Sequence, residues 1–116
     1  MNLYIYSKCS TCQKAVQFLE RNAIAYVKHE IVLKTPTLEE LQKMLGYYQG
    51  RIQKLFNTSG LLYRELGLSE KIPEMSTDQA IKLLMQHGML VKRPFCIGPD
   101  FGLLGFRESE WAEKIL

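Results

Sequence analysis

The sequence predicts an α/β protein with a mixed β-sheet and an all-helical block set into it, and three observations carry that reading. A strand–loop–helix–strand pattern opens the chain. Helical signals alone fill residues from about 37 to 87. Two short apolar strands and a final helix close it.

Residues 2 to 6, rich in Leu, Ile and Tyr, read as a buried strand, and Ser7-Lys8-Cys9-Ser10 offers a loop able to cap a helix. From Cys12 to about Arg21, Ala15, Val16, Phe18 and Leu19 recur at three- and four-residue spacing, with Asn22 as the stop. A second strand begins near Tyr26 and runs to Val32, carried by Tyr26, Val27, Ile31 and Val32. Pro36 and Thr37 then open a helix with a capping box between Thr37 and Glu40, its apolar face made by Leu38, Leu41, Met44 and Leu45. Gly46 to Gly50 are expected to break that helix. A short helical piece follows at Ile52 to Phe56, then a turn at Asn57-Thr58-Ser59-Gly60, and helical spacing resumes at Leu61 to Leu66 and from Thr77 to about His87. Beyond Gly88, Phe95-Cys96-Ile97 and Leu103-Leu104-Gly105-Phe106 form a hairpin across Gly98 to Gly102, and a helix over about Ser109 to Ile115 ends the chain. No linker or repeat separates these parts, so the reading is one domain over 1–116 with a helical insertion at about 37–87.

The formal charge of +3 is scattered, with Lys92-Arg93 the one adjacent pair of cations, so no basic stripe exists to neutralise successive phosphates. Direct nucleic-acid binding is not expected. No signal-peptide pattern and no apolar run near the ~20 residues of a membrane span is present, which predicts no membrane association and a cytoplasmic location. Three cysteines are an odd number, and the close spacing of Cys9 and Cys12 reads as redox chemistry in a reducing compartment rather than as a secreted disulfide framework.

Cys9-Ser10-Thr11-Cys12 sits where the first strand meets the first helix, so the free N–H groups of the helix start, with Lys8 beside them, favour thiolate over thiol. Cys9 falls in the loop, where its sulfur is accessible. Cys12 falls about one turn inside the helix and is shielded. Cys9 therefore attacks an oxidised substrate or disulfide, and Cys12 displaces the adduct to leave an intramolecular disulfide. Two half-buried structural thiols and a zinc site are the alternatives, but no second ligand pair stands at metal spacing, and His29 and His87 are too scattered to complete one. No metal or bound organic cofactor is required. Cys96, inside an apolar strand, reads as a buried core thiol.

A βαβ half, a ββα half and a CxxC at the first helix start are the elements of a thioredoxin-like fold. The chain resembles the family of arsenate reductases and Spx transcription regulators over nearly its whole length. The resemblance rests on Cys9-Ser10-Thr11-Cys12-Gln13-Lys14-Ala15, Asn57-Thr58-Ser59-Gly60 with Tyr63-Arg64-Glu65-Leu66-Gly67-Leu68, Lys92-Arg93-Pro94, and Gly105-Phe106-Arg107. It implies a cis peptide before Pro94 and a nucleophile at Cys9. In the arsenate reductases three arginines hold the oxyanion; two of those positions match Arg93 and Arg107, whereas the third falls on Asn57. The family's aromatic-plus-histidine approach to the cysteine is here Tyr6-Ser7-Lys8. Asn57 and Ser59 donate neutral hydrogen bonds of about half the strength of charge-assisted ones, and Lys8 supplies part of the missing charge. A weaker or different oxyanion site is the expectation. By this resemblance the substrate is a small oxyanion or a disulfide, and the external reductant is either glutathione with glutaredoxin or thioredoxin.

Spx regulators supply a rival reading, in which the dithiol is a sensor and the partner is the C-terminal domain of the RNA polymerase α subunit. The resemblance places Gly50 at the glycine those regulators use for that contact, although a turn glycine is expected there in any case. The chain ends at Leu116 without the basic C-terminal extension of such regulators, which favours an enzyme or an orphan redox protein over a regulator; a monomer is expected.

Overall fold

In the computed structural model, which describes Met1–Leu116, four strands form one sheet in the order β2-β1-β3-β4. The strands are β1 (Asn2–Ile5), β2 (Val27–Glu30), β3 (Phe95–Ile97) and β4 (Gly102–Leu104). β1 pairs parallel with β2 across the crossover helix α1 (Ser10–Arg21), while β3 runs antiparallel to both β1 and β4. The remaining helices are α2 (Leu38–Tyr47), α3 (Leu61–Glu65), α4 (Leu68–Lys71), α5 (Thr77–Gln86) and α6 (Glu108–Ile115). Helices α2 to α5, with three short 3-10 turns, occupy the stretch between β2 and β3.

Strand alternation divides the core into two. Leu3 and Ile5 of β1, Cys96 of β3 and Leu103 of β4 face α1 and α6, packing on Ala15, Phe18, Leu19 and Trp111. Tyr4, Phe95 and Ile97 face the opposite way and pack against Leu41, Met44, Leu84 and their neighbours from the helices between β2 and β3. A sheet covered on both faces needs apolar residues at consecutive positions, which is why β1 and β3 read as unbroken apolar runs.

Several boundaries differ from the sequence reading. β2 stops at Glu30, because Ile31 turns away under Gly88, where an added Cβ would collide with the Ile31 carbonyl oxygen. Val32 and Leu33, whose β-branched and apolar character suits a strand and its flank, are exposed turn residues. α2 runs through Gly46 to Tyr47 instead of breaking there, since nothing crowds Gly46 and the turn is made further on by Gln49 and Gly50, at φ of 55° and 75°. β4 begins at Gly102 and ends before Gly105, whose φ of 70° takes the chain out of the sheet.

The capping box at the start of α2 does more than begin a helix. Thr37 Oγ1 accepts from Glu40 N–H at 3.1 Å, and Glu40 Oε1 accepts from Thr37 N–H at 3.0 Å. The same carboxylate also accepts from the Tyr4 hydroxyl at 2.6 Å and the Asn2 amide at 2.9 Å, tying α2 to β1. Desolvation alone would raise the Glu40 pKa, but the Thr37 N–H, the Tyr4 hydroxyl and the Asn2 amide outweigh it and hold it below the ordinary value. A carboxyl whose pKa is depressed on folding stabilises the native state above its unfolded pKa and loses that contribution as pH falls through the folded one. Stability measured by urea denaturation should therefore decline as pH drops below about 4.5, the region of an unperturbed Glu. In Glu40→Gln that part of the decline should be missing, and an identical pH profile would show that Glu40 does not carry it.

Candidate active site

The N-terminus of α1 is built around sulfur. Cys9 occupies the N-cap position at φ −96° and ψ 118°, and its Sγ accepts from the Cys12 N–H at 3.4 Å, so the sulfur stands where a Ser or Asp oxygen usually caps. The approach loop is held by Cys9 N–H to the Tyr6 carbonyl at 2.9 Å, Gln13 Nε2 to the Ser7 carbonyl at 3.0 Å, and Ser7 N–H to Glu30 Oε1 at 3.0 Å. No acidic residue lies in the first turn of α1, so nothing competes with a thiolate for the positive end of the helix.

The two thiols differ sharply. Cys9 is half-buried at the edge of a cavity of about 500 Å³, whereas Cys12 is completely buried in the core facing α6. Partial burial acts to raise the Cys9 pKa, but hydrogen bonds from the Cys12 thiol and backbone, the Arg93 charge and the Thr11 N–H outweigh it and hold it below the ordinary thiol value. Burial pushes Cys12 up to about 12, a backbone hydrogen bond involving Tyr6 offsetting it only partly, and the proximity of Cys9 adds to the rise. The accessible thiol is thus the more acidic of the two, and the thiol behind it stays protonated and out of reach. Cys96 is fully buried and pushed up by burial to about 12, so it stays protonated within the core.

Arg93, Arg107 and Asn57 all reach the cavity at Cys9. The Arg93 guanidinium lies 5.2 Å from the centroid of the Tyr6 ring, and its Nη1 donates to Met89 Sδ at 3.3 Å, so an aromatic face and a thioether hold it without neutralising its charge. The peptide bond from Arg93 to Pro94 is cis. Arg107 caps α6 from a loop fixed by Gly105, whose N–H donates to the Pro94 carbonyl at 2.9 Å and whose carbonyl accepts from Trp111 Nε1 at 3.0 Å. Its guanidinium is exposed and pairs with Glu110 at 3.1 Å. Asn57 is set in place by its N–H to the Leu90 carbonyl at 2.7 Å, and Ser59 and Gly60 line the same wall.

One predicted contributor stands elsewhere, and the glycine expected as a partner contact lies apart from the site. Lys8 is exposed and outside the cavity, because the turn before α1 directs it to solvent, and Arg93 is the cation that acts on the thiol. Gly50 is exposed at the end of α2 and far from Cys9 in the chain; its positive φ and the open space around it account for the glycine by turn geometry alone. One residue was missed: Lys92 lines the cavity beside Arg93. Its N–H donates to the Leu55 carbonyl at 2.8 Å, part of a bridge in which Phe56 pairs with Val91, and this sets Lys92 and Asn57 on the same cavity. The signal in the sequence was the adjacency of two cations before a proline, but nothing local shows that both face the cysteine.

No group of three or more His, Cys, Asp or Glu side chains is arranged to hold a metal ion, and no helix is long and apolar enough to cross a membrane.

A sheet in this order, with a dithiol at the start of the crossover helix and a cis-proline strand beside it, defines a thioredoxin-like protein of the arsenate-reductase type. The chain belongs to the ArsC family, whose model matches residues 4–114. It is similar over nearly its full length to the protein YusI of Bacillus subtilis, at 38% identity over 98% of this chain and 97% of that one. The global transcriptional regulator Spx 2 of Bacillus anthracis is 28% identical over 93% of this chain and 81% of its own length. Among solved structures, an ArsC family related protein from Bacteroides fragilis superposes with a TM-score of 0.89 at 43% identity, covering 97% of this chain and 94% of that one.

Proposed function

We propose that this protein is a thiol-dependent reductase in which Cys9 is the nucleophile and Cys12 the resolving thiol of a reversible disulfide. The observation that carries the reading is the asymmetry of the pair: Cys9 opens onto a cationic cavity, while Cys12 lies buried one helical turn behind it with its N–H on the Cys9 sulfur. Such a pair separates attack from resolution, because one thiol meets substrate as a thiolate and the other meets only the adduct. Arg93 holds the thiolate, and Arg107, Asn57 and Ser59 complete the wall against which a substrate rests. The chemistry uses no bound cofactor, and an external thiol system in the cytoplasm, glutathione with glutaredoxin or thioredoxin, returns the pair to the dithiol.

With Asn57 in place of a third arginine, arsenate is held by two guanidinium groups and a neutral amide, so a disulfide is the better fit. The deciding measurement is NADPH-coupled turnover of arsenate and of a small disulfide, each run with glutathione plus glutaredoxin and with thioredoxin plus its reductase. Disulfide turnover exceeding that of arsenate, with one of the two donors, is the expected result. Absence of turnover in every arm, while the Cys9–Cys12 disulfide still forms and reduces, would refute the reductase reading. It would favour instead a redox-switched contact with RNA polymerase through its α subunit, for which the likeness to Spx 2 is the supporting observation.

A further inference from the structure

The cavity at Cys9 is lined by eleven residues, of which Lys92, Arg93 and Arg107 are cationic and none is acidic. Lys92 and Arg93 make no ion pair, and the single partner of Arg107, Glu110, leaves the Arg107 side chain 78% exposed. Like charges gathered around one concavity repel in its empty state and concentrate anions at its mouth. The volume, about 500 Å³, lies within the roughly 300–1,000 Å³ typical of sites for organic ligands, and a tetrahedral oxyanion of five heavy atoms fills a small part of it.

The cations reach the cavity from two separate stretches of the chain. Lys92 and Arg93 enter from the segment before β3, and Arg107 enters from the loop before α6. Arg93 is committed to the thiolate, since it is the charged group that lowers the Cys9 pKa. Lys92 and Arg107 have no such task. Lys92 is half-buried, and its stem packs beside Gly105, where an added Cβ would stand in ordinary contact, 3.4 Å from Lys92 Cε.

We propose that the substrate is a small disulfide whose halves carry carboxylates, and that Lys92, together with Arg107, selects for that negative charge; the proposal rests on the reductase reading above. The Cys9 thiolate attacks one sulfur of the disulfide, forming a Cys9–substrate disulfide and expelling the other half as a thiolate. Cys12 then loses its proton to that thiolate or to water and attacks the Cys9 sulfur, releasing the second half and leaving Cys9 and Cys12 joined. Two electrons pass from the protein dithiol to the substrate, and an external thiol reductant restores the dithiol.

Single-turnover oxidation of the pre-reduced protein tests this without reference to the donor. Three disulfides of similar size differ in charge: dianionic 3,3′-dithiodipropionate, neutral bis(2-hydroxyethyl) disulfide and dicationic cystamine. Formation of the Cys9–Cys12 disulfide is followed by acid quench and mass spectrometry, and each rate is divided by the same disulfide's rate with dithiothreitol. The dianion should react about tenfold faster than the neutral compound at low salt, with the dication slowest, and the spread should shrink as salt is added. Lys92→Gln should lower the dianion-to-neutral ratio about threefold, its share of a selection divided with Arg107, Lys92→Arg should preserve it, and Lys82→Gln on the exposed face of α5 should leave it untouched. Equal normalised rates for the three disulfides, or an unchanged ratio in Lys92→Gln, would overturn the assignment while leaving the reductase standing. Failure of all three to oxidise the pair faster than dithiothreitol reacts would overturn the assignment, and with no arsenate turnover either it would overturn the reductase reading as well.

Discussion

Cys9→Ser should reduce turnover by about a thousandfold or more, and Cys12→Ser should convert the protein into a trap that holds substrate as a mixed disulfide at Cys9. The asymmetry follows from position. Removing Cys9 removes the proposed nucleophile, the thiolate that would meet substrate. Removing Cys12 leaves that thiolate in place, with Arg93 over Tyr6 and the Thr11 N–H still stabilising it, but deletes the group that expels the adduct. Intact mass after exposure to a small disulfide reads the trapped species directly: one added half-disulfide on Cys12→Ser and none on Cys9→Ser. A limiting alkylating reagent at neutral pH should likewise label Cys9 alone in the wild type, because Cys12 is buried with its pKa pushed up to about 12. Equal labelling of Cys9 and Cys12 would refute the division of labour. Rising pH should narrow the preference only near the upper end of the range, as Cys12 begins to ionise.

Trp111→Ala should be the most destabilising change outside the site. The indole is fully buried against the α1 side of the sheet, edge-on to Phe18 at 6.3 Å and to Phe106 at 5.1 Å between ring centroids. Its truncation opens a cavity that the surrounding strands cannot fill, at a cost of about 3–5 kcal/mol. For a chain of this size that corresponds to a fall in Tm of more than about 10 °C by circular dichroism or calorimetry. Trp111→Phe separates packing from hydrogen bonding. It retains an aromatic ring but leaves the buried Gly105 carbonyl without its donor, costing about 1–3 kcal/mol. Because that carbonyl lies two residues before Arg107, the Phe variant should also loosen the loop that delivers the guanidinium to the cavity. A Tm for Trp111→Ala within about 3 °C of wild type would show that the α1 side of the core is held by other contacts.

The candidate site divides along the same line between near and distant residues. The dithiol, the helix start that activates it and the capping box at Thr37 were legible because each is a matter of residues three or four apart in the chain. The strand β1 and the hairpin of β3 and β4 were legible as well, in outline, since apolar runs bounded by glycine and proline have few other uses. Lys8 marks where local reasoning fails: it is next to Cys9 in the chain, but it is exposed and lies outside the cavity, and Arg93 is the cation that acts on the thiol. Gly46 has the composition of a helix break, yet a glycine with helical neighbours and no crowding is carried through by the packing of Leu41 and Met44.

By itself the amino-acid sequence determined the α/β class, the dithiol at the first helix start and which of its two thiols is the more accessible, all properties set by spacing and by the polarity of a helix end. Only the tertiary structure decided which cations face the sulfur. Arg93, Arg107, Lys92 and Asn57 come to one cavity because a bridge between Phe56 and Val91, the pairing of β3 with β4, and the Trp111 bond to Gly105 bring together segments that lie far apart along the chain. Charge acts through space, over distances that chain separation does not report, so the electrostatic character of the site is a property of the fold and not of any motif within it.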